Sequence, residues 1–371
     1  VLAMTRSGAN GEAGAVIVYR FDGTDWSEEQ TIDNPTPAAA DIFGGSVAVG
    51  GNLLVTGCFL DDENAPNGGS AYVYRYNGLT WELEQRIAPA DLVQNERFGV
   101  TVAIDSGRIF VSSHELDDTM GHVSAGAVYI YEFDGSTWLE QQKLLPPVPG
   151  ENEYFGNIFA VSGNVLVLSA NEHDPFQSSG AAYVYRFDGT NWNQEQRLSA
   201  SDAEAYDGFG RGLAIDGDRI FVSALGADNV GSNDGAVYAF EFDGASWIET
   251  QTIIGSQNTG NDSFGLEIAF EANVLLVGSP LHNPPYNSGA LYMYHFEGGL
   301  WNEVAYIVPE GITEHSYFGH SIALEDNHVF VSRPNLNSNA LGVIYGYDLD
   351  LECLSDFTFM IEDSTARYSS F

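Results

Sequence analysis

Carboxylates are the side chains best placed to do chemistry in this chain, and they come in short clusters. Asp61, Asp62 and Glu63 form one; Glu115, Asp117 and Asp118 a second; Glu172 and Asp174 a third. A further set comprises Asp91 and Glu96, Glu151 and Glu153, and Asp202, Glu204 and Asp207. Clustered carboxylates suit two roles. They can supply the crowd of oxygens that calcium takes, or they can be solvated loops with nothing bound. Both readings stand. If calcium binds, Asp61, Asp62, Asp117 and Asp118 are its expected ligands, and calcium is the only cofactor the residues suggest.

Catalytic constellations are harder to assemble. His114 and His122 flank an acidic stretch, and His315 and His320 flank Phe318-Gly319, but no histidine pair has zinc spacing. No serine sits in a nucleophile elbow. No catalytic residue is therefore assigned. With 52 Asp and Glu against 13 Lys and Arg, the formal charge is −39. Such a surface repels nucleic acid and anionic lipid, so neither is an expected partner. No apolar run is long enough to cross a bilayer. Two cysteines, Cys58 and Cys353, are too few for a disulfide scaffold. The repeat described next places them at opposite ends of the strands, so no bridge is expected.

The elements that must position these clusters are repeated. Six tryptophans, Trp26, Trp81, Trp138, Trp192, Trp247 and Trp301, are spaced by 55, 57, 54, 55 and 54 residues. Twelve residues before each stands a glycine, from Gly14 and Gly69 to Gly289, and three before each stands another, from Gly23 to Gly298. Seventeen after each is a Phe-Gly pair, beginning at Phe43, Phe98, Phe155, Phe209, Phe264 and Phe318. Three ladders in phase imply one structural unit used over and over.

Each unit reads as four strands, A to D. In the second unit these are Ser46 to Val49, Leu53 to Thr56, Ala71 to Tyr76, and Trp81 to Ile87. Asn77-Gly78 between C and D is a strong hairpin signal, because a tight turn needs positive φ. Strand C alternates Tyr72, Tyr74 and Tyr76 with apolar Val73, so both of its faces should be buried. The seventh unit, residues 343–371, is degenerate. Leu354 stands at its tryptophan position, Phe357 to Ile361 reads as strand D, and Phe371 as the phenylalanine of a following strand A. Val1 to Met4 reads as the end of a strand B, which leaves blade one incomplete at the N-terminus and implies a segment upstream. The expected fold is an all-β, seven-bladed β-propeller of four-stranded antiparallel blades, one domain over residues 1–371.

The Phe-Gly pairs and the small residues closing strand B, such as Gly278-Ser279-Pro280 and Thr56-Gly57-Cys58, resemble the FG-GAP repeat, which builds the integrin α-subunit propeller and occurs in many bacterial secreted proteins. The A–B connections depart from integrins. Gly50-Gly51-Asn52 and Asp216-Gly217-Asp218 are too short for that family's calcium cage, so the likeness is to a bacterial sub-type. The resemblance implies a secreted or cell-surface protein, monomeric as a propeller and part of a larger one. It implies a noncatalytic adhesion, binding or display module with a protein or glycan ligand. Two alternatives stay open: a propeller enzyme acting on glycans, and a structural surface element. The long, variable B–C and D–A loops share one face and are the expected ligand surface. The tryptophans and strand-C tyrosines are expected to pack rather than bind.

Overall fold

Tyrosines alternating with aliphatics along strand C demand burial on two faces, and the computed structural model supplies it. The structure describes residues 1–6, 14–37, 41–117, 123–148, 150–171, 178–282, 287–309, 315–325, 328–334, 342–350 and 353–363, with the backbone alone for 6, 342, 350 and 353–363. Among them every regular element is a β-strand, and no helix occurs. Seven antiparallel sheets follow one another along the chain, and the fold is a seven-bladed β-propeller. Blade two runs A (Phe43–Gly50), B (Leu53–Cys58), C (Ser70–Tyr76), D (Trp81–Ile87), hydrogen-bonded in that order. Blade one has three strands, Leu2–Arg6, Ala15–Phe21 and Trp26–Asp33, and no strand A among the described residues. Blade seven keeps four despite its degenerate sequence, and its strand D, Cys353–Asp363, extends beyond the expected Phe357 to Ile361 at both ends.

Strand A also starts earlier than its sequence suggests. Phe43 pairs with Cys58, after which the register shifts so that Ser46 pairs with Gly57. The extra residues form a bulge, which Gly44 permits by taking φ 82°. By packing, the chain divides into two compact units, one built on Val1–Asn157 with Thr190–Trp192, the other on Ile158–Gly189 and Asn193–Arg367.

Inside each unit the hydrophobic core lies between successive blades rather than within one. Val16 and Val18 of blade one pack with Phe43, Leu54, Tyr72 and Trp81 of blade two. Phe221 and Val237 of blade five likewise meet Phe264, Leu275, Tyr292 and Trp301 of blade six. This is why both faces of strand C are apolar: each blade is the wall of two cores. Five of the six tryptophans are buried, and Trp26 partly so.

The first glycine ladder is explained by contact. At Gly69 a Cβ would stand 2.2 Å from the Phe98 carbonyl oxygen of the next blade; at Gly180 it would stand 2.1 Å from that of Phe209. No side chain fits there, and both glycines also hold positive φ. The glycines of the C–D turns differ. Gly78 has φ 99° but open space where a Cβ would go.

The tryptophan ladder has a second partner, one step outside the core. Gln85 donates its amide to the Trp138 carbonyl (3.0 Å) and accepts the Trp138 backbone N–H (2.7 Å). The same two-way clasp joins Gln30 to Trp81, Gln196 to Trp247, and Gln251 to Trp301. Gln142 clasps Trp192, which groups with the first unit. Beside the clasp, Glu84 takes both the Trp138 indole N–H (3.2 Å) and the Arg75 guanidinium, which lies over Phe133. Glu29 with Arg20, and Glu195 with Arg186, repeat this on Trp81 and Trp247.

Two stability effects are expected in denaturant titrations. Gly69→Ala should cost roughly 2–5 kcal/mol, combining overpacking with backbone strain. Gly78→Ala should cost about 1–2 kcal/mol from strain alone, and equal costs would remove the contact explanation. Gln85→Ala should cost roughly 1–3 kcal/mol, because it strips both partners from the Trp138 backbone.

Candidate functional site

The B–C loops and D–A loops meet, and they do so through main chain. In the first unit Asn95, Arg97 and Phe98 donate their backbone N–H groups to the carbonyls of Pro66, Asn67 and Gly68. In the second, Asn261 and Phe264 donate to Ser232 and Asp234, and Tyr317 and Phe318 to Asn287 and Ser288. This stitching needs left-handed backbone at fixed positions, taken for example by Asn67, Asn95 and Arg97. The same main-chain bonds thus recur at the loop bases from blade to blade, while the side chains set on them vary.

The four calcium candidates occupy different places. Asp61 is buried and fully engaged. Its carboxylate accepts from Ser70 Oγ (2.5 Å), the Tyr72 hydroxyl (3.1 Å), Arg86 Nη2 (2.9 Å) and the Glu63 backbone N–H (2.8 Å). Burial alone would raise this carboxyl. The hydrogen bonds from Ser70 and Glu63 and the Arg86 guanidinium outweigh it and hold the group below the usual carboxylate range. Asp62 and Asp117 are exposed and shape their own loops, accepting the backbone N–H of Asn67 (2.6 Å) and Ser124 (3.0 Å). Asp118 lies outside the described residues, as do His122, Glu172 and Asp174. Among the described residues no three His, Cys, Asp or Glu side chains gather closely enough to hold a metal ion.

Among the D–A acids Asp91, Glu151, Asp202 and Glu204 are exposed, but solvation fails as a description of the others. Glu96, Glu153 and Asp207 are buried, and so are Asp41 and Asp262. All five stand two residues before the phenylalanine of a Phe-Gly pair. The five form a fourth ladder in the sequence, broken only by Ser316 before Phe318, and it identifies the position as structural. Asp207 accepts the backbone N–H of Glu204 (2.6 Å), and Asp262 that of Thr259 (2.6 Å), which closes the loop end. Their own carbonyls take side chains from the end of strand B. Ser113 Oγ donates to Glu96 (2.7 Å), Ser279 Oγ to Asp262 (2.9 Å), and the buried, free Cys58 thiol to Asp41 (3.4 Å).

Three described histidines meet carboxylates: His114 lies 3.7 Å from Glu115, His328 lies 2.8 Å from Asp348, and His282 reaches Asp262. His282 Nδ1 is 3.5 Å from Asp262 Oδ1, and its Nε2 lies 2.9 Å from the Tyr306 hydroxyl, within hydrogen-bond reach. The slot is a repeat position. His282 donates its backbone N–H to Ser279 and accepts from Gly289, as Asp61 does with Cys58 and Gly69. Tyr306 stands five residues after Trp301, as Arg86 does after Trp81. Blade two fills the slot with Asp61 and Arg86, blade six with His282 and Tyr306. In both, the pair anchors a loop base.

Glu267 stands immediately before strand A of blade six, Ile268–Glu271. Three residues after the phenylalanine, Ser46 and Thr101 donate their hydroxyls to the Gly99 and Asn157 carbonyls of the following blade. Glu267 occupies the same position in blade six. It keeps part of its surface accessible, but protein surrounds it, and burial pushes its carboxyl up to about 8. The folded chain therefore holds a proton on Glu267 that the unfolded chain has lost above its ordinary value of 4.5. Stability from this group is present below that value and declines as pH rises toward about 8. Thermal melts of wild type and Glu267→Gln should coincide near pH 4 and separate by pH 8, with the variant melting higher. A gap that did not change with pH would refute this.

Known proteins place these features in context. The chain is similar in fold to 471 solved chains. One is a Bacteroides fragilis protein provisionally named a 6-phosphogluconolactonase, with TM-score 0.63 and 11% identity over 99% of this chain and 96% of that one. At that identity the likeness is one of fold. No curated protein sequence matches. The family model for the FG-GAP repeat matches residues 26–74, 81–131, 138–185 and 192–240, each match starting at a ladder tryptophan and together covering more than half of the chain. The Phe-Gly ladder, its glycine partners and these matches agree: the chain belongs to the FG-GAP repeat family.

Proposed function

We propose that this chain is an extracellular, noncatalytic binding module that engages a protein or glycan ligand through the face bearing its B–C and D–A loops. One observation carries the reading. The loop bases are held by the same main-chain bonds from blade to blade, while the projecting segments vary and expose apolar side chains. From the end of strand B to the ladder glycine the interval is 11 residues in blade two, 13 in blade three and 10 in blade four. Val93, Val123 and Val148 project from loops of the first unit, and Tyr206 and Val230 from loops of the second. A rigid frame presenting variable, partly apolar loops is how binding surfaces are built on repeat folds. The opposite turns repeat one Asp-Gly or Asn-Gly device, in which Asn77 and Asp134 accept the next backbone N–H groups.

The acidic surface and the secreted habit of bacterial FG-GAP proteins support an extracellular place. The purified chain should be tested on arrays of glycans and of extracellular proteins. Saturable binding without turnover is expected, weakened by Val230→Glu on the loop face and unaffected by Leu79→Ser on a C–D turn. Turnover of any bound glycan, or equal sensitivity to both substitutions, would overturn the reading.

A further inference from the structure

Blade five departs from the repeat where its D–A loop enters strand A, in Tyr206-Asp207-Gly208-Phe209-Gly210-Arg211. Three residues before the phenylalanine the backbone takes positive φ. Blades three, four, six and seven meet this with Asn95, Asn152, Asn261 and His315. Blade five uses Tyr206, at φ 73°. Asparagine tolerates that region, whereas a bulky aromatic is strained there. Tyr206 is nonetheless 63% exposed, so core burial does not offset the strain. Strain kept at an exposed aromatic is a pointer to function.

Gly208 is the second departure. At its position the other blades carry side chains, among them Arg97, Tyr154 and Tyr317. In blade five the floor is bare and Arg211 lies across it. A Cβ on Gly208 would stand 3.5 Å from Arg211 Cγ and 3.6 Å from its Nε.

Arg211 is exposed, and among the described residues no carboxylate or hydrogen-bond acceptor engages it. This is unusual in a chain with 52 carboxylates and 13 Lys and Arg. Arg20, Arg75, Arg86, Lys143 and Arg186 all hold carboxylates. Two acids close to Arg211 in sequence have other partners. Asp207 takes the Glu204 backbone N–H, and Asp202 the Tyr238 hydroxyl (2.8 Å). Arg211 leaves an open guanidinium against Gly208, two residues from the exposed Tyr206, so one short segment offers a flat apolar face and a fork-shaped cation.

We propose that Tyr206 and Arg211 form a subsite for a carboxylate-bearing sugar, the ring lying against the phenol and the carboxylate meeting the guanidinium. This rests on the loop-face binding reading above. A sugar ring offers the C–H face that an exposed aromatic accepts, and a carboxylate matches guanidinium geometry. The formal charge of −39 repels polyanions. The fitting ligand is therefore a uronate within an otherwise neutral glycan.

The test titrates the folded chain with four probes: a glucuronate-terminated oligosaccharide, its glucose-terminated counterpart, acetate and an aspartate-rich peptide. The uronate glycan alone should bind. Arg211→Gln should weaken it at least about tenfold, the worth of a hydrogen-bonded charge. Tyr206→Asn restores the residue the repeat uses at that backbone position, so it should lower affinity while raising the melting temperature. Equal binding of the neutral glycan, preference for the peptide or acetate, an unaffected Arg211→Gln, or a lowered melting temperature in Tyr206→Asn would overturn the subsite and leave the loop-face reading intact. Binding of no glycan and no extracellular protein by wild type would instead overturn the loop-face reading, and the subsite with it.

Discussion

Everything in this fold hangs on how closely one blade's backbone approaches the next. The ladder glycine sits so near the following blade's phenylalanine that a methyl group cannot intervene; at Gly69 a Cβ would fall 2.2 Å from the Phe98 carbonyl oxygen. Several features follow. Strand A must bulge at the Phe-Gly pair to bring its backbone alongside, and so the second glycine takes positive φ, as Gly44 and Gly99 do. The phenylalanine ring turns inward onto the tyrosine of its own strand C, at 5.5 Å for Phe43 and Tyr72 and 5.3 Å for Phe98 and Tyr129. The B–C loop, which begins beside this contact, is drawn against the incoming D–A loop. A surface of stitched loops is thus a consequence of a tight backbone contact beneath it.

A second set of contacts, farther along the strands, links blades through side chains, and it is written into the sequence as paired presence and absence. Gln30, Gln85, Gln142, Gln196 and Gln251 each stand four residues after a tryptophan and clasp the next one. After Trp301 the position holds Ala305, and the next blade has Leu354 in place of tryptophan. Where strand C carries glutamate instead of arginine, at Glu132 and Glu241, an arginine from strand B, Arg108 or Arg219, faces it. Arg219 then lies over Phe296 of the next blade, much as Arg75 lies over Phe133. The scarce cations are largely spent between blades, where aromatic faces and partial burial make each worth more than on an open surface.

The same economy explains how the carboxylates read. As residues, Asp61, Glu96 and Asp207 look like members of acidic loops. Their burial comes from the loop-to-loop stitching, which spacing within one loop does not reveal. The fourth ladder, an acid two residues before each phenylalanine from Asp41 to Asp262, was visible in the repeat and marks these groups as closing elements. Asp62 and Asp117 cap their own loops by a local bond to backbone N–H groups, a role available to any Asp or Asn in such a turn. Arg211 is the converse case. Its type and position were legible, but that no carboxylate among the described residues engages it is a fact of three dimensions.

The sequence alone determined that this chain is a propeller of repeated four-stranded blades. Phase is a one-dimensional property, and the tryptophan, glycine and Phe-Gly ladders keep theirs from Trp26 to Phe318. It also determined that both faces of strand C are buried, because alternation of Tyr72, Val73 and Tyr74 leaves no wet side. Only the tertiary structure decided which partners the polar residues take. The carboxylate of Asp61 is fixed by Arg86 on strand D, 25 residues away, and in blade six the same slot goes to His282 and Tyr306. Such pairings depend on which side chains the strands bring within hydrogen-bond reach, at about 3 Å, and spacing along the chain cannot specify that.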